Sequence, residues 1–216
     1  MINNLLIFGD SYSTHKDHIP SGYAFYYCDG GRSPEEPVTN MTVDKTWWWQ
    51  FIENTDAKLI RNDSWSGSTI GYTGYSGDCS KTSSFICRYD KLVAEGFFSD
   101  NKIDTIIVFG GTNDSWSGAP LGEEMYEDWK REDLFSVRPA ICCFMHRLRV
   151  ENPNSRVVFI ANCDIKSEVV DCIKNAAEHI GGVEVVELFG LEKQKGHPTP
   201  VGMKQIYEQV RDQLGV

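Results

Sequence analysis

The sequence predicts an α/β chain folded as a three-layer α/β/α sandwich around a five-stranded parallel sheet. Three observations carry that expectation. Five short apolar runs are spaced along the chain, and longer helical patterns lie between them. The strongest runs are continuously apolar and β-branched, as strands buried on both faces must be.

Taken in order, Leu5–Phe8 is the first run, and it ends in Gly9-Asp10. Lys58–Arg61 is the second, and it ends at the hexapeptide NDSWSG, Asn62 to Gly67. Asp104–Phe109 (DTIIVF) is the third and strongest. It leads through Gly110-Gly111 to a second NDSWSG, Asn113 to Gly118. Arg156–Ala161 (RVVFIA) and Val183–Leu188 (VEVVEL) complete the set. The helical patterns are Thr46–Asn54, opening on Trp47-Trp48-Trp49, then Ser84–Phe98, then Phe135–Glu151 with Pro139 in its first turn. Ser167–Ile180 stops before Gly181-Gly182, and Thr199–Leu214 closes the chain. Short links between these elements require right-handed crossovers. Ligands of such sheets bind outside the carboxyl ends of the strands.

Two stretches interrupt the alternation, at about 12–45 and 114–133. Both are rich in Gly, Pro, Ser and aromatics, and loops of this length in a compact domain carry function. They read as insertions into one domain covering 1–216. Apart from the hexapeptide there is no internal repeat.

The bulk composition excludes some functions. The chain has 216 residues, 41% of them apolar and 24% charged, with a formal net charge of −10. No basic patch is present to track phosphates, so nucleic acid is not an expected partner, and neither is an anionic membrane surface. No run reaches transmembrane length. The first apolar run lacks a basic flank and a small-residue cleavage site, and therefore reads as a strand and not as a signal peptide. Seven scattered cysteines, an odd number, fit reduced thiols. A cytoplasmic location is the expectation, and the N-x-[ST] matches at Asn40, Asn62 and Asn113 are then irrelevant as glycosylation signals.

The chemistry lies at the strand ends. In IFGDSYS, residues 7–13, Ser11 follows the first strand in a turn that Gly9 permits. A nucleophilic serine needs exposure, a base within reach and donors for an oxyanion. Taken alone, G-D-S reads as a turn capped by Ser11 or Asp10. It is accompanied by Gly67 after the second strand, Asn113 after the third, and His197 in GHPTPVGM just before the last helix.

This ordered Ser, Gly, Asn, His set resembles the SGNH hydrolases, also called GDSL-type esterases, from Ile7 to about Met203. The resemblance implies the flavodoxin-like sandwich of that family. It implies Ser11 as nucleophile, His197 as general base, and an oxyanion hole of the Ser11 N–H, the Gly67 N–H and the Asn113 side-chain amide. No metal or cofactor is implied. The family places an Asp three residues before the His, and here that position is Gln194. Three arrangements fit: a Ser-His dyad oriented by a backbone carbonyl or by Gln194, Glu192 standing in for the acid, or a weakened enzyme. The family's substrates span short acyl esters, O-acetylated carbohydrates, thioesters and lysophospholipids. The Trp- and Tyr-rich insertions favour a carbohydrate ester. The alternative is a carbohydrate-binding protein with little catalysis. A flavodoxin-like cofactor binder is disfavoured, because no phosphate-cradling glycine loop follows the first strand.

Other residues carry two readings each. Trp65 and Trp116 hold the same place in the two hexapeptides and are either a stacking platform for substrate or packing at loop bases. Asp10 either contacts substrate or braces its turn. Asp114 fixes the loop of Asn113. His15 and His18 with Asp17 have no zinc-type spacing and read as exposed loop residues. Cys163, at the end of a strand, reads as a buried thiol.

Overall fold

The computed structural model describes residues 3–216. Its main sheet holds five strands: β1 (Asn4–Gly9), β2 (Lys58–Ser64), β5 (Thr105–Gly110), β6 (Arg156–Ala161) and β7 (Val183–Glu187). Their order across the sheet is β2-β1-β5-β6-β7, and every pairing is parallel. Two small hairpins stand outside it, β3 (Thr73–Gly74) with β4 (Gly77–Asp78) and β8 (Lys193–Gln194) with β9 (His197–Pro198). The helices are α1 (Trp47–Glu53), α2 (Phe85–Ala94), α3 (Phe97–Asp100), α4 (Thr112–Trp116), α5 (Val137–Glu151), α6 (Ser167–Ile180) and α7 (Pro200–Leu214).

The period-2 alternation of strands explains the two faces. Leu6, Phe8, Ile106, Val108, Val157 and Phe159 join the core that includes residues of α2, α5 and α6. Leu5, Ile7, Ile107, Phe109, Val158 and Ile160 join the opposite core with Trp47, Trp48 and Phe51 of α1 and Ile206 and Val210 of α7. Both faces are dry, which is why these strands read as unbroken apolar runs. Trp47 and Trp48 are fully buried and Trp49 is only partly so, as three consecutive helical residues require.

Most boundaries fall within a residue or two of the sequence expectation, and two elements differ by more. The helical pattern Ser84–Phe98 is broken at Gly96, where the left-handed backbone (φ 75°) separates α2 from α3. The strand expected over Lys58–Arg61 runs on through Ser64, because Asn62, Asp63 and Ser64 pair with Ile7, Phe8 and Gly9.

That extension means the two NDSWSG copies fold differently. Asn62 to Ser64 is strand, whereas Asn113 to Trp116 is helix. The second copy follows Gly111, whose φ of 90° turns the chain sharply out of β5 and into α4. Tertiary context therefore overrides identical local spelling. Asn62 and Asn113 are both buried, so neither offers a glycosylation site.

The 12–45 segment has no strand or α-helix of its own until α1, only short 3-10 turns and isolated bridges. It is nevertheless ordered by contacts: Tyr26 and Tyr27 are buried, and the Ser66 N–H donates to the Ala24 carbonyl at 2.8 Å. The 114–133 segment begins inside α4 and then lies along α5 and α6, with Tyr126 stacked on His179 at 3.8 Å and Trp129 beside His146. No helix among the described residues is long and apolar enough to cross a membrane.

Candidate active site

Ser11 opens a 3-10 turn at the carboxyl end of β1. Gly9 is required by close approach: a Cβ there would collide with the side chains of Ser13 and Ser64. Asp10 caps this turn by accepting from the Tyr12 N–H at 3.0 Å. It is fully buried, with its Oδ2 free of partners, and burial pushes its carboxyl up to about 7. Of the two readings of Asp10, this enclosure and the cap hydrogen bond favour the brace.

The Ser11 hydroxyl lies 3.0 Å from His197 Nε2. The other ring nitrogen, Nδ1, lies 3.2 Å from the Lys195 carbonyl. A carbonyl only accepts, so Nδ1 carries the proton and Nε2 is left to accept from the serine. The hairpin β8–β9 explains the arrangement. Gln194 pairs with His197 across a two-residue turn in which Lys195 and Gly196 both have positive φ, 50° and 75°. This geometry is that of a type I′ turn, and it aims the Lys195 carbonyl at the imidazole.

Glu192 does not reach His197. Its carboxylate accepts from the Thr199 hydroxyl, and Thr199 in turn caps α7 by accepting from the Gly202 N–H. The helix N-terminus, with its partial positive charge, is the favourable place for this carboxylate. Of the three arrangements open from the sequence, the contact of Nδ1 with the Lys195 carbonyl fits the dyad oriented by a main-chain carbonyl, and Glu192 is engaged elsewhere.

The hairpin is held on several sides. The Tyr12 hydroxyl donates to the Gly196 carbonyl at 2.5 Å, and the Tyr27 hydroxyl to the Pro198 carbonyl at 2.9 Å. Lys193 Nζ donates to the Cys163 carbonyl and pairs with Asp164, both at 3.1 Å. Lys195 Nζ donates to the Glu35 carbonyl at 2.8 Å. Tyr26 stacks face to face on the His197 ring, and the Arg32 guanidinium lies over the Tyr26 ring, 5.8 Å from its centroid. Burial lowers the His197 pKa below its ordinary value. The Arg32 and Lys193 charges act in the same direction, and the Lys195 carbonyl acts against them.

Gly67 and Asn113 follow β2 and β5, the two strands that flank β1 in the sheet. Gly67 is in a left-handed turn after β2, and among the described residues no group accepts from its N–H or from that of Ser11. Asn113 Nδ2 donates to the Ser68 carbonyl at 2.9 Å, which joins the two loops. Asp114 joins them again: its carboxylate accepts from the Ile70 and Gly71 N–H groups at 3.0–3.2 Å. Burial raises Asp114 to about 6 against those hydrogen bonds. Below this floor sits Arg88, fully buried and paired with Asp63 at 2.7 Å, while also donating to the carbonyl of Gly9 and the hydroxyl of Ser68. It ties the ends of β1 and β2 to α2.

Both tryptophans border the site. Trp65 lies against Tyr23 of the first insertion, ring centroids 4.3 Å apart. Trp116 is 40% exposed, and its ring edge is what a Cβ on Gly196, beside His197, would meet. Cys163 is half-buried and hydrogen-bonds to Asp164. His15 packs on His18, which lies against Trp48 and Trp49; His15 is buried and not the exposed loop residue expected, and among the described residues no cluster of three or more metal-ligating side chains occurs. Concavity alone would mislead here: a depression of about 490 Å³ opens at the opposite ends of the strands, between Asp104 and Ser155, and contains none of these residues.

Fold and site together define a hydrolase of carboxylic esters. The chain belongs to the GDSL-like lipase/acylhydrolase family, whose model matches residues 3–214. A protein named as a GDSL-like lipase from Bacteroides ovatus ATCC 8483 is 36% identical, with a TM-score of 0.87 over 98% of this chain and 97% of that one. Another, from Bacteroides uniformis ATCC 8492, is 38% identical, with a TM-score of 0.87 over 98% and 95% of the two chains. An acetyl xylan esterase from the rumen bacterium Butyrivibrio proteoclasticus shares the fold at 20% identity, TM-score 0.57, over 99% of this chain and 64% of its own. No curated protein sequence matches the chain.

Proposed function

We propose that this chain is a serine esterase acting on short acyl esters, with O-acetyl groups on carbohydrates as the preferred class. Ser11 attacks the ester carbonyl while His197 Nε2 takes its proton. The tetrahedral oxyanion is held by the Ser11 N–H, the Gly67 N–H and the second Nδ2 proton of Asn113. His197 then protonates the departing alcohol. Water, activated by the same imidazole, releases the acid from the acyl-serine. The Lys195 carbonyl keeps the tautomer correct. Being neutral, it stabilises the imidazolium less than a carboxylate would.

The observation that carries this reading is the alignment of Ser11 Oγ, His197 and the Lys195 carbonyl at 3.0 and 3.2 Å. The carbohydrate preference is supported by Trp65, packed on Tyr23, and by exposed Trp116, next to the turn that carries His197. The fold's use by an acetyl xylan esterase points to the same substrates.

The test is acetate release from acetylated xylo-oligosaccharides, beside a p-nitrophenyl ester series from acetate to octanoate. Turnover of the sugars, with rates falling as the acyl chain lengthens, is expected. Saturable binding of the sugars without turnover of any ester would favour a carbohydrate-binding protein instead.

A further inference from the structure

Resting on that reading of the site, we infer that Tyr75 is a positioning residue for the oxyanion hole, acting through Asn113. An amide has a donor end and an acceptor end, and only the donor end can hold an oxyanion. Turned over, Asn113 would present Oδ1 to the developing negative charge and repel it.

Two contacts fix its orientation. The Ser68 carbonyl, an acceptor only, holds one Nδ2 proton at 2.9 Å. The Tyr75 hydroxyl donates to Oδ1 at 3.1 Å. With both in place, the remaining Nδ2 proton is left for substrate. The Tyr75 bond also polarises the amide, since hydrogen bonds in series strengthen one another in a poorly solvated site. Asn113 is almost fully buried, so water does not replace the phenol easily.

The placement is built by the small hairpin that the main sheet does not need. Thr73 and Gly74 pair with Asp78 and Gly77, leaving Tyr75 and Ser76 as the two-residue tip. The hairpin is moored away from the serine: the Thr73 hydroxyl donates to the Phe135 carbonyl, and the Tyr72 N–H to the Leu134 carbonyl. Tyr75 is otherwise 56% exposed, an unusual position for a large aromatic with no core to fill. Its hydroxyl contact with Asn113 accounts for that position.

The test is a double-mutant cycle on p-nitrophenyl acetate with Tyr75→Phe, Asn113→Ala and the pair, and with Ser11→Ala as reference. Tyr75→Phe keeps the ring, and its melting temperature should match the parent. Its kcat should fall about three- to tenfold with KM unchanged, the worth of one such hydrogen bond. Inhibition by a trifluoromethyl ketone, which forms the oxyanion on Ser11, should weaken by a similar factor. In the Asn113→Ala background, Tyr75→Phe should have no further effect. An unchanged kcat, a loss confined to KM, or the same loss with and without Asn113 overturns the inference. Ser11→Ala separates this from the wider reading: if it retains parental activity, both fall, and if only Tyr75→Phe fails to respond, the inference alone falls.

Discussion

His197 lies flat against Tyr26, ring centroids 3.6 Å apart and planes within 8° of parallel. In a site where the usual carboxylate is absent, this stack takes part of the work of holding the imbedded ring. Tyr26→Phe should leave kcat close to that of the parent. Tyr26→Leu should lower it by up to about tenfold, since such a contact is worth about 0.5–1.5 kcal/mol. Steady-state kinetics of the two variants check this, and equal losses in both would point to the hydroxyl and not to the stack.

The proton balance of His197 follows from its surroundings. Burial, with Arg32 and Lys193 nearby, holds its pKa below the ordinary imidazole value. The base must be neutral, so activity persists as pH falls and is lost only below that ordinary value. The acid limb of kcat/KM reports this group in the free enzyme. Gln194→Asp places a carboxylate in the hairpin position facing His197. It should stabilise the imidazolium, move the acid limb to higher pH and raise kcat. A limb unmoved by Gln194→Asp would show that the new carboxylate does not reach the ring.

Arg88 and Asp63 form an ion pair with no exposure on either side chain. Removing one partner of a buried pair strands the other. Arg88→Met should cost about 3 kcal/mol, near the lower end for such pairs because Arg61 still pairs with Asp63 at 2.8 Å. Urea unfolding measures the loss. Activity should fall as well, since Arg88 also holds the Gly9 carbonyl and Ser68.

Asp10 has a native pKa raised to about 7 by burial, above the ordinary value of 3.8. The native state therefore keeps a proton that the unfolded chain releases. The stability this confers is complete below about pH 4 and is lost as pH rises towards 7. Asp10→Asn should flatten that part of the stability profile, which melting temperatures across the range would show. An unchanged slope would assign the pH dependence to other groups such as Asp114.

Much of this was legible in the sequence, and the limits were physical. Runs such as DTIIVF and RVVFIA announce doubly buried strands because the sheet has helices on both faces. Ser11, Gly67, Asn113 and His197 stand out as candidates because each follows a strand or precedes the last helix. Tyr26 and Tyr75 were not. They lie in segments without periodicity, and their partners are 171 and 38 residues away, so no local pattern records the contact. Arg88 was hidden for another reason: one charge in an amphipathic helix looks like a solvated residue until its buried partner is known. The Lys195 carbonyl is a main-chain group, and only the turn geometry, not a side-chain motif, could reveal it. The repeated hexapeptide shows the converse limit, since one spelling serves as strand in one place and as helix in another.

The central claim is that Ser11 is a nucleophile activated by His197. The most direct measurement is labelling with a fluorophosphonate, read by intact mass and peptide mapping, on the parent, Ser11→Ala and His197→Ala proteins. One adduct is expected on the peptide carrying Ser11, none in Ser11→Ala, and labelling slowed by orders of magnitude in His197→Ala. An adduct elsewhere, or a parent protein that stays unlabelled while folded, would contradict it.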